Sequence, residues 1–217
     1  MEASSGSIED DPSASITVAG AARFTAGTGL DLQTLEIAGP IALTINGNAT
    51  LINNRATTFG SVVVDGNLNV IARGAIGQTA GGIMVDGTTL LNADGDINLI
   101  NLGAVNNLVD QVTISSARNV SLRNNAPGAG AGSLFPILPI GLQDLALVFG
   151  DSELVLPELS ITGDLDLSSS GNFSQGGILT VEGAGSSTIT STAGGVTLSQ
   201  NSSFGGSLAV TSAGAIS

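Results

Sequence analysis

Apolar residues recur at every second position along most of this chain. The pattern is plain in Ser15-Ile-Thr-Val18, Leu30-Asp-Leu32, Leu35-Glu-Ile37 and Ile41-Ala-Leu-Thr-Ile45. It returns in Leu68-Asn-Val70, Asp96-Ile-Asn-Leu-Ile100, Val112-Thr-Ile114, Val120-Ser-Leu122, Leu165-Asp-Leu167 and Val196-Thr-Leu198. A period of two sends one set of side chains to an inner face and the other outward, as in a half-buried strand. The inward residues are β-branched or Leu, which strands favour. Between the runs stand Ala-Gly, Asp-Gly, Asn-Gly and Gly-Gly, which are turn chemistry. Helical spacing is nearly absent. Leu142, Leu145 and Phe149 fall at i, i+3 and i+7, but Pro139 and Gly150 bracket them, and Leu145, Leu147 and Phe149 read equally well as a strand.

A longer period lies over the short one. Val62-Val-Val-Asp-Gly66 matches Ile83-Met-Val-Asp-Gly87 at an offset of 21, and the offset continues through Ala72/Ala93, Gly74/Gly95 and Ile76/Ile97. Gly66-Asn-Leu-Asn-Val70 matches Gly163-Asp-Leu-Asp-Leu167 at 97, as does Ile76-Gly-Gln78 with Phe173-Ser-Gln175. Leu165, Leu167 and Phe173 recur as Val196, Leu198 and Phe204 at 31, and Leu179 and Val181 as Leu208 and Val210 at 29. An irregular period near 20 is what a β-solenoid produces, because one coil cannot bury its own inner face and stacked coils share a continuous core. The expected fold is therefore all-β: a parallel β-solenoid of about nine or ten coils, with one extruded loop. At the usual inter-strand spacing of ~4.8 Å it makes a rod roughly 45 Å long. Asn46, Asn48, Asn53, Asn54, Asn67, Asn69, Asn92, Asn98, Asn101, Asn119 and Asn124 lie at or beside the expected turns. There Asn tolerates left-handed backbone angles and can form amide ladders between coils.

Two stretches depart from the pattern. Residues 1–14 are acidic, small and polar and read as a flexible tail, which leaves 15–217 for the solenoid. Residues 125–141 begin with the Gly/Ala run Asn125-Ala-Pro-Gly-Ala-Gly-Ala-Gly-Ser133 and continue as Leu-Phe-Pro-Ile-Leu-Pro-Ile-Gly141. This reads as a Gly/Pro-rich loop extruded from one coil. Its apolar residues Leu134, Phe135, Ile137, Leu138 and Ile140 are the candidate partner-binding set, packed on the rod or on a partner.

Composition narrows the chemistry. The 217 residues carry a net charge of −13, with five Arg and no Cys, His, Lys, Trp or Tyr. Thiolate nucleophiles and His-based triads are excluded, as are Cys/His zinc sites. A P-loop or a Lys Schiff base is excluded as well. Five scattered Arg among 18 carboxylates would repel a phosphate backbone, so no nucleic-acid partner is expected. The longest apolar stretch, 134–149, is too interrupted by Pro, Gly and Asp for a membrane-spanning helix. The N-terminus lacks the basic and apolar regions of a signal peptide, so a signal for export would lie outside this chain.

Three carboxylate pairs sit two residues apart and so share a strand face: Asp94/Asp96, Asp151/Glu153 and Asp164/Asp166. They could serve glycosidase-type acid/base work, but they read first as solvated outward positions between inward Ile and Leu. No cofactor is expected. Calcium is the one metal whose oxygen ligands are abundant, in Ala93-Asp-Gly-Asp96 and Gly150-Asp-Ser-Glu153, though neither matches an EF-hand or a nonapeptide repeat. Four N-x-S/T sequons, at Asn48, Asn119, Asn172 and Asn201, are expected by chance in a chain this rich in Asn, Ser and Thr.

Gly66-Asn-Leu-Asn-Val-Ile-Ala-Arg-Gly-Ala-Ile-Gly-Gln78 resembles the repeats of filamentous haemagglutinin-like adhesins, the exoproteins of two-partner secretion. Asn92-Ala-Asp-Gly-Asp-Ile-Asn-Leu99, Gly163-Asp-Leu-Asp-Leu167 and Ser212-Ala-Gly-Ala-Ile-Ser217 share that style. The resemblance covers roughly residues 30–124 and 142–217 and is one of repeat grammar. It implies a right-handed parallel β-helix and a non-enzymatic structural shaft of a bacterial cell-surface or secreted adhesin. Such a shaft displays loops to a host-cell, biofilm or glycan surface. The alternatives are a self-assembling extracellular fibre or matrix subunit, stacked end to end on copies of itself, and a polysaccharide-active β-helix enzyme. The fibre reading is motivated by repeat pattern that runs to Ser217 without a polar cap.

Overall fold

A computed structural model describes residues 1–101 and 103–217. Among the described residues the chain is built of short strands, and the one helical element is the 3-10 turn Gly132–Leu134. Among the described residues no helix is long and apolar enough to cross a membrane. The strands pair in parallel with the coil before and the coil after, which makes a β-solenoid of about ten turns.

One wall runs the length of the rod. It is the main path of a 13-stranded sheet: Glu2–Ala3, Ala22–Ala26, Ile41–Ile45, Thr57–Val64, Ile76–Gln78, Ile97–Leu99, Val120–Asn124, Leu145–Phe149, Leu165–Ser169, Ser186–Ser191 and Ser207–Ser212. A second, 7-stranded wall stacks Ser7–Glu9, Gly29–Ile37, Asn48–Asn53, Leu68–Ala72, Thr89–Ala93 and Val112–Ser116, with Ile16–Val18 beside Gly29–Ile37, and goes no further as a sheet. Later coils carry two 3-stranded sheets instead. One stacks Leu154–Leu156, Phe173–Gln175 and Val196–Thr197, and the other Leu159–Ile161, Leu179–Val181 and Ser203–Phe204.

The alternation in sequence becomes columns of buried side chains. Leu32, Leu51, Val70, Leu91 and Ile114 lie one above another and are at most 1% exposed. Each buried aliphatic side chain contributes about 1.5–3 kcal/mol, and only a neighbouring coil can supply the cover. The 21-residue offset is a true stacking register: Ile83 sits on Val62, Ala93 on Ala72 and Ile97 on Ile76. The 31- and 29-residue matches are not. Phe173 sits under Val196, and Val181 under Phe204.

The corners explain the Gly and Asn content, by one of the two expected routes and not the other. No residue other than Gly has positive φ among the described residues, so Asn serves no left-handed turn. Its side chain instead reaches the next coil. Asn48 Oδ1 accepts the N–H of Asn67 at 2.9 Å, and Asn67 Oδ1 accepts that of Thr88 at 2.9 Å. A second ladder uses carboxylates as well: Asn119 accepts from Asp144, Asp144 from Asp164 and Asp164 from Ser186, at 3.1, 2.9 and 2.7 Å. The corner glycines are there for space. A Cβ on Gly66 would fall 2.5 Å from Asn48 Oδ1 and 2.7 Å from Gly47 C. Inside the rod, Asn53 and Asn124 imitate a strand edge. Each amide accepts a backbone N–H and donates to the carbonyl of the same residue, Ile37 and Leu108 respectively.

Two expectations about boundaries are corrected. Residues 1–14 do not form a free tail. Glu2–Ala3 pairs with Thr25 and Ala26, and Ser7–Glu9 pairs with Gly29 to Asp31. A parallel ladder needs backbone donors and acceptors more than apolar content, so an acidic strand can close the first coil. Asp10 reinforces it. Burial pushes its carboxyl up, but donation from the Thr34 hydroxyl and from the N–H groups of Gln33 and Thr34 outweighs that and holds it below the usual 3.8. The second correction concerns 125–141, whose first half stays in the coil. Ala126, Ala129 and Gly130 are buried, and Gly130 exchanges bonds with Ser152 Oγ and Val155 N–H. Small residues are needed there because a Cβ on Gly130 would meet Phe149 Cδ2 at 3.0 Å.

Candidate functional site: an apolar cleft where one wall breaks

The chain leaves the rod after Gly132. All three positive-φ residues among those described lie in this segment: Gly128 at 76°, Gly132 at 56° and Gly141 at 80°. Gln111 pins the start of the excursion, its Nε2 donating to Phe135 O at 3.0 Å and Val112 O at 2.9 Å. Ile137 then lands on the end of the 7-stranded wall, opposite Thr113. It donates to Val112 O at 2.9 Å and accepts from Ile114 N–H at 2.8 Å. Alternate residues serve one edge of a parallel ladder, so the next donor would be residue 139. That residue is Pro139, which has no N–H, and the wall stops.

The five sequence-selected residues divide. Phe135 is only 8% exposed and belongs to the core, and Leu138 is half-buried against it. Ile137 and Ile140 are exposed, at 56% and 104%. Leu134 is half-buried and does not line the cleft. Phe135 is thus no free side chain offered to a partner. It packs with the buried core residues instead.

Between this excursion and the following coil lies a cleft of about 930 Å³. Phe135, Pro136, Ile137, Leu138 and Ile140 form one side, and Val155, Leu156, Pro157, Leu159 and Ser160 the other. That volume is near the top of the range for ligand pockets, roughly 300–1,000 Å³. Glu158 is the one charged residue of the lining. The far side was missed in sequence, because Val155 to Ser160 carries no motif that sets it apart.

The backbone of that far side is half used. Leu159 N–H bonds to Ile178 O at 3.0 Å and Ile161 O accepts Glu182 N–H at 2.8 Å, both in the next coil. In a parallel ladder the groups of the residue between them, Ser160, must face the preceding coil. Among the described residues, no backbone bond or bridge joins Ser160 to residues 136–141. The 20-residue spacing that bonds Thr162 to Leu142 would place Ile140 opposite Ser160, and Ile140 is out in solvent.

Of the six carboxylate candidates three are engaged with neighbouring groups and three are exposed, all outside the cleft lining. Arg118 donates two hydrogen bonds to Asp96, at 3.0 and 2.9 Å, which with its charge holds that carboxyl below the ordinary value. Asp94 lies 3.8 Å from Arg73. Asp164 caps Ser186, while Asp166 is exposed on the outer face. Asp151 and Glu153 are exposed on the corner beside Gly130. Among the described residues no three acidic groups gather as they would for a metal.

Stacked parallel coils, a period near 20 and a single interrupted wall define the chain as a β-solenoid repeat protein. It belongs to a family known as repeats of unknown function (DUF5649), whose model matches residues 1–44, 46–115 and 143–211. The stretch between the second and third matches holds the excursion that shapes the cleft. Neither the curated proteins nor the solved structures compared with it gave a match.

Proposed function

We propose that the protein is a non-enzymatic structural shaft of a bacterial cell-surface or secreted adhesin. It holds the 132–141 cleft out to a host-cell, biofilm or glycan surface. The observation that carries this reading is the contrast between an unbroken wall of stacked strands and one apolar cleft built by a segment outside the repeat. Exposed apolar surface of this kind, rimmed by polar residues, marks interaction sites. The carboxylates support the reading too, since Asp96 and Asp164 are engaged in holding coils together.

The test is attachment of protein-coated fluorescent beads to epithelial cells and to immobilised glycans, with and without Ile137→Ser and Ile140→Ser together. Both side chains are exposed, so the fold should be kept. Attachment is expected to fall about tenfold, the scale of losing one binding hot spot. Equal attachment by the two proteins would overturn the assignment. Glycan turnover abolished by Asp166→Asn would instead favour the enzyme reading.

A further inference from the structure

We propose that the cleft takes an extended peptide, which adds as a strand to the Leu159–Ile161 edge and carries a basic side chain to Glu158. This rests on the reading of the cleft as a docking site and says what docks there.

The argument begins with the backbone. The N–H and C=O of Ser160 point into the cleft, for the reason given above. The same logic applies across from it. Ile137 uses its groups on Val112 and Ile114, so those of Leu138 face away from the 7-stranded wall and into the cleft. Two strand edges therefore confront each other with no strand between them. Along the unbroken wall each strand from Ala22–Ala26 to Ser186–Ser191 is paired with the coil before and the coil after, and a peptide strand supplies the same donors and acceptors. A hydrocarbon ligand would fill the volume and leave both edges without partners.

Side chains set the rest. A strand laid on an edge sends alternate residues to opposite sides. One set would meet Ile137, Leu138 and Leu159, whose exposed or half-buried side chains line the cleft, and so should be aliphatic. Strand addition gains affinity from main-chain bonds and selectivity from such pockets. Glu158 is the one charge in the lining, on a chain of net charge −13. An acidic peptide would be repelled at long range and a basic one drawn in.

The experiment uses the full chain and a synthetic library of acetylated heptapeptides, with Val or Thr at alternate positions and all residues elsewhere. Binding is read by fluorescence anisotropy, and hydrogen exchange is followed over residues 136–141 and 158–162. The expected result is selection of Lys- or Arg-containing peptides, with slowed exchange in both segments. Methylating the peptide nitrogens that face Ser160 should weaken binding at least about tenfold. Ser160→Pro should do the same from the protein side, since it removes the facing N–H at a ladder edge where Pro is tolerated. Glu158→Gln should reduce the preference for basic over neutral peptides. Because N-methylation alters only the peptide, the test survives if Ser160→Pro fails to fold.

If peptides bind but N-methylation is harmless and 158–162 is unprotected, strand addition is overturned while the docking site stands. If only the apolar dye anilinonaphthalene sulfonate binds, and Ile137→Ser with Ile140→Ser abolishes it, the site takes small apolar ligands and the peptide proposal fails. If neither peptide nor dye binds, the docking reading fails with it.

Discussion

The two long walls of this rod are laid down by the same coils and meet different fates. The first continues from Glu2–Ala3 to Ser207–Ser212, whereas the second ends at Val112–Ser116 and its single added rung, Ile137. Hydrophobicity does not separate them. Leu134 to Ile140 is as apolar as Leu145 to Phe149, which forms a buried rung of the unbroken wall. What differs is the supply of backbone donors and the freedom to turn. Pro136 and Pro139 lack an N–H, and Gly132 and Gly141 adopt the left-handed angles that carry the chain away and back. In a solenoid the apolar pattern selects the face of each residue, and the ladder decides whether the coil stays in line.

Substitutions along the two walls should therefore behave differently. The largest effect is expected where coils touch without room. Gly66→Ala forces a Cβ into the backbone of the coil below and should abolish cooperative unfolding of the first coils or prevent folding, as read by circular dichroism and sizing. Leu147→Ala, on a residue stacked between Leu122 and Leu167, should cost about 2–5 kcal/mol in urea unfolding. Ile140→Ser on the broken wall should stay within about 0.5 kcal/mol. Comparable losses at Leu147 and Ile140 would mean that the excursion is part of the core, and the contrast between the walls would collapse. Asn53→Leu should cost about 1–3 kcal/mol, because it orphans the N–H and C=O of Ile37 inside the rod.

Smaller effects sharpen the role of the corners. Asp164→Asn keeps an acceptor for Ser186 N–H and should be nearly neutral, while Asp164→Ala should lose up to about 1 kcal/mol. A catalytic carboxylate would give the opposite ranking in a turnover assay, with Asn as damaging as Ala. The acid response is the mildest. Asp10 and Asp96 have folded values below the ordinary 3.8. Their stabilisation is therefore complete above that value and is lost as pH falls through the lower folded one. The Thr34 amide resonance should move only below about pH 3.8, when Asp10 takes up its proton. Movement at higher pH would contradict the hydrogen bonds assigned to Asp10.

Much of this architecture was readable from the residues. Val62-Val-Val-Asp-Gly66 and Ile83-Met-Val-Asp-Gly87 gave a true stacking register, because their Asp-Gly corners sit on each other. The 97-residue match was real in kind but misplaced in space. Leu68 to Val70 lies on the 7-stranded wall and Leu165 to Leu167 on the long one. A corner followed by a short strand looks alike on every wall, so sequence comparison cannot tell which wall it has matched. Gln78 and Gln175, paired at the same offset, do share a role. Each partly buried amide braces the next coil, through Asn106 and through Ser202. The excursion was visible from its Pro and Gly. The cleft was not, since Val155 to Ser160 becomes a wall of it only through what the preceding coil fails to cover.

Residue-resolved hydrogen exchange on the intact protein tests the account most directly. Slow exchange is expected in the unbroken wall across the junction, from Val120–Asn124 through Leu145–Phe149 to Leu165–Ser169. The amide of Ser160 should exchange fast while those of Leu159 and Ile161 are protected. Protection of Ser160 equal to its neighbours would mean the second wall is closed, and would contradict both the broken ladder and the cleft built on it.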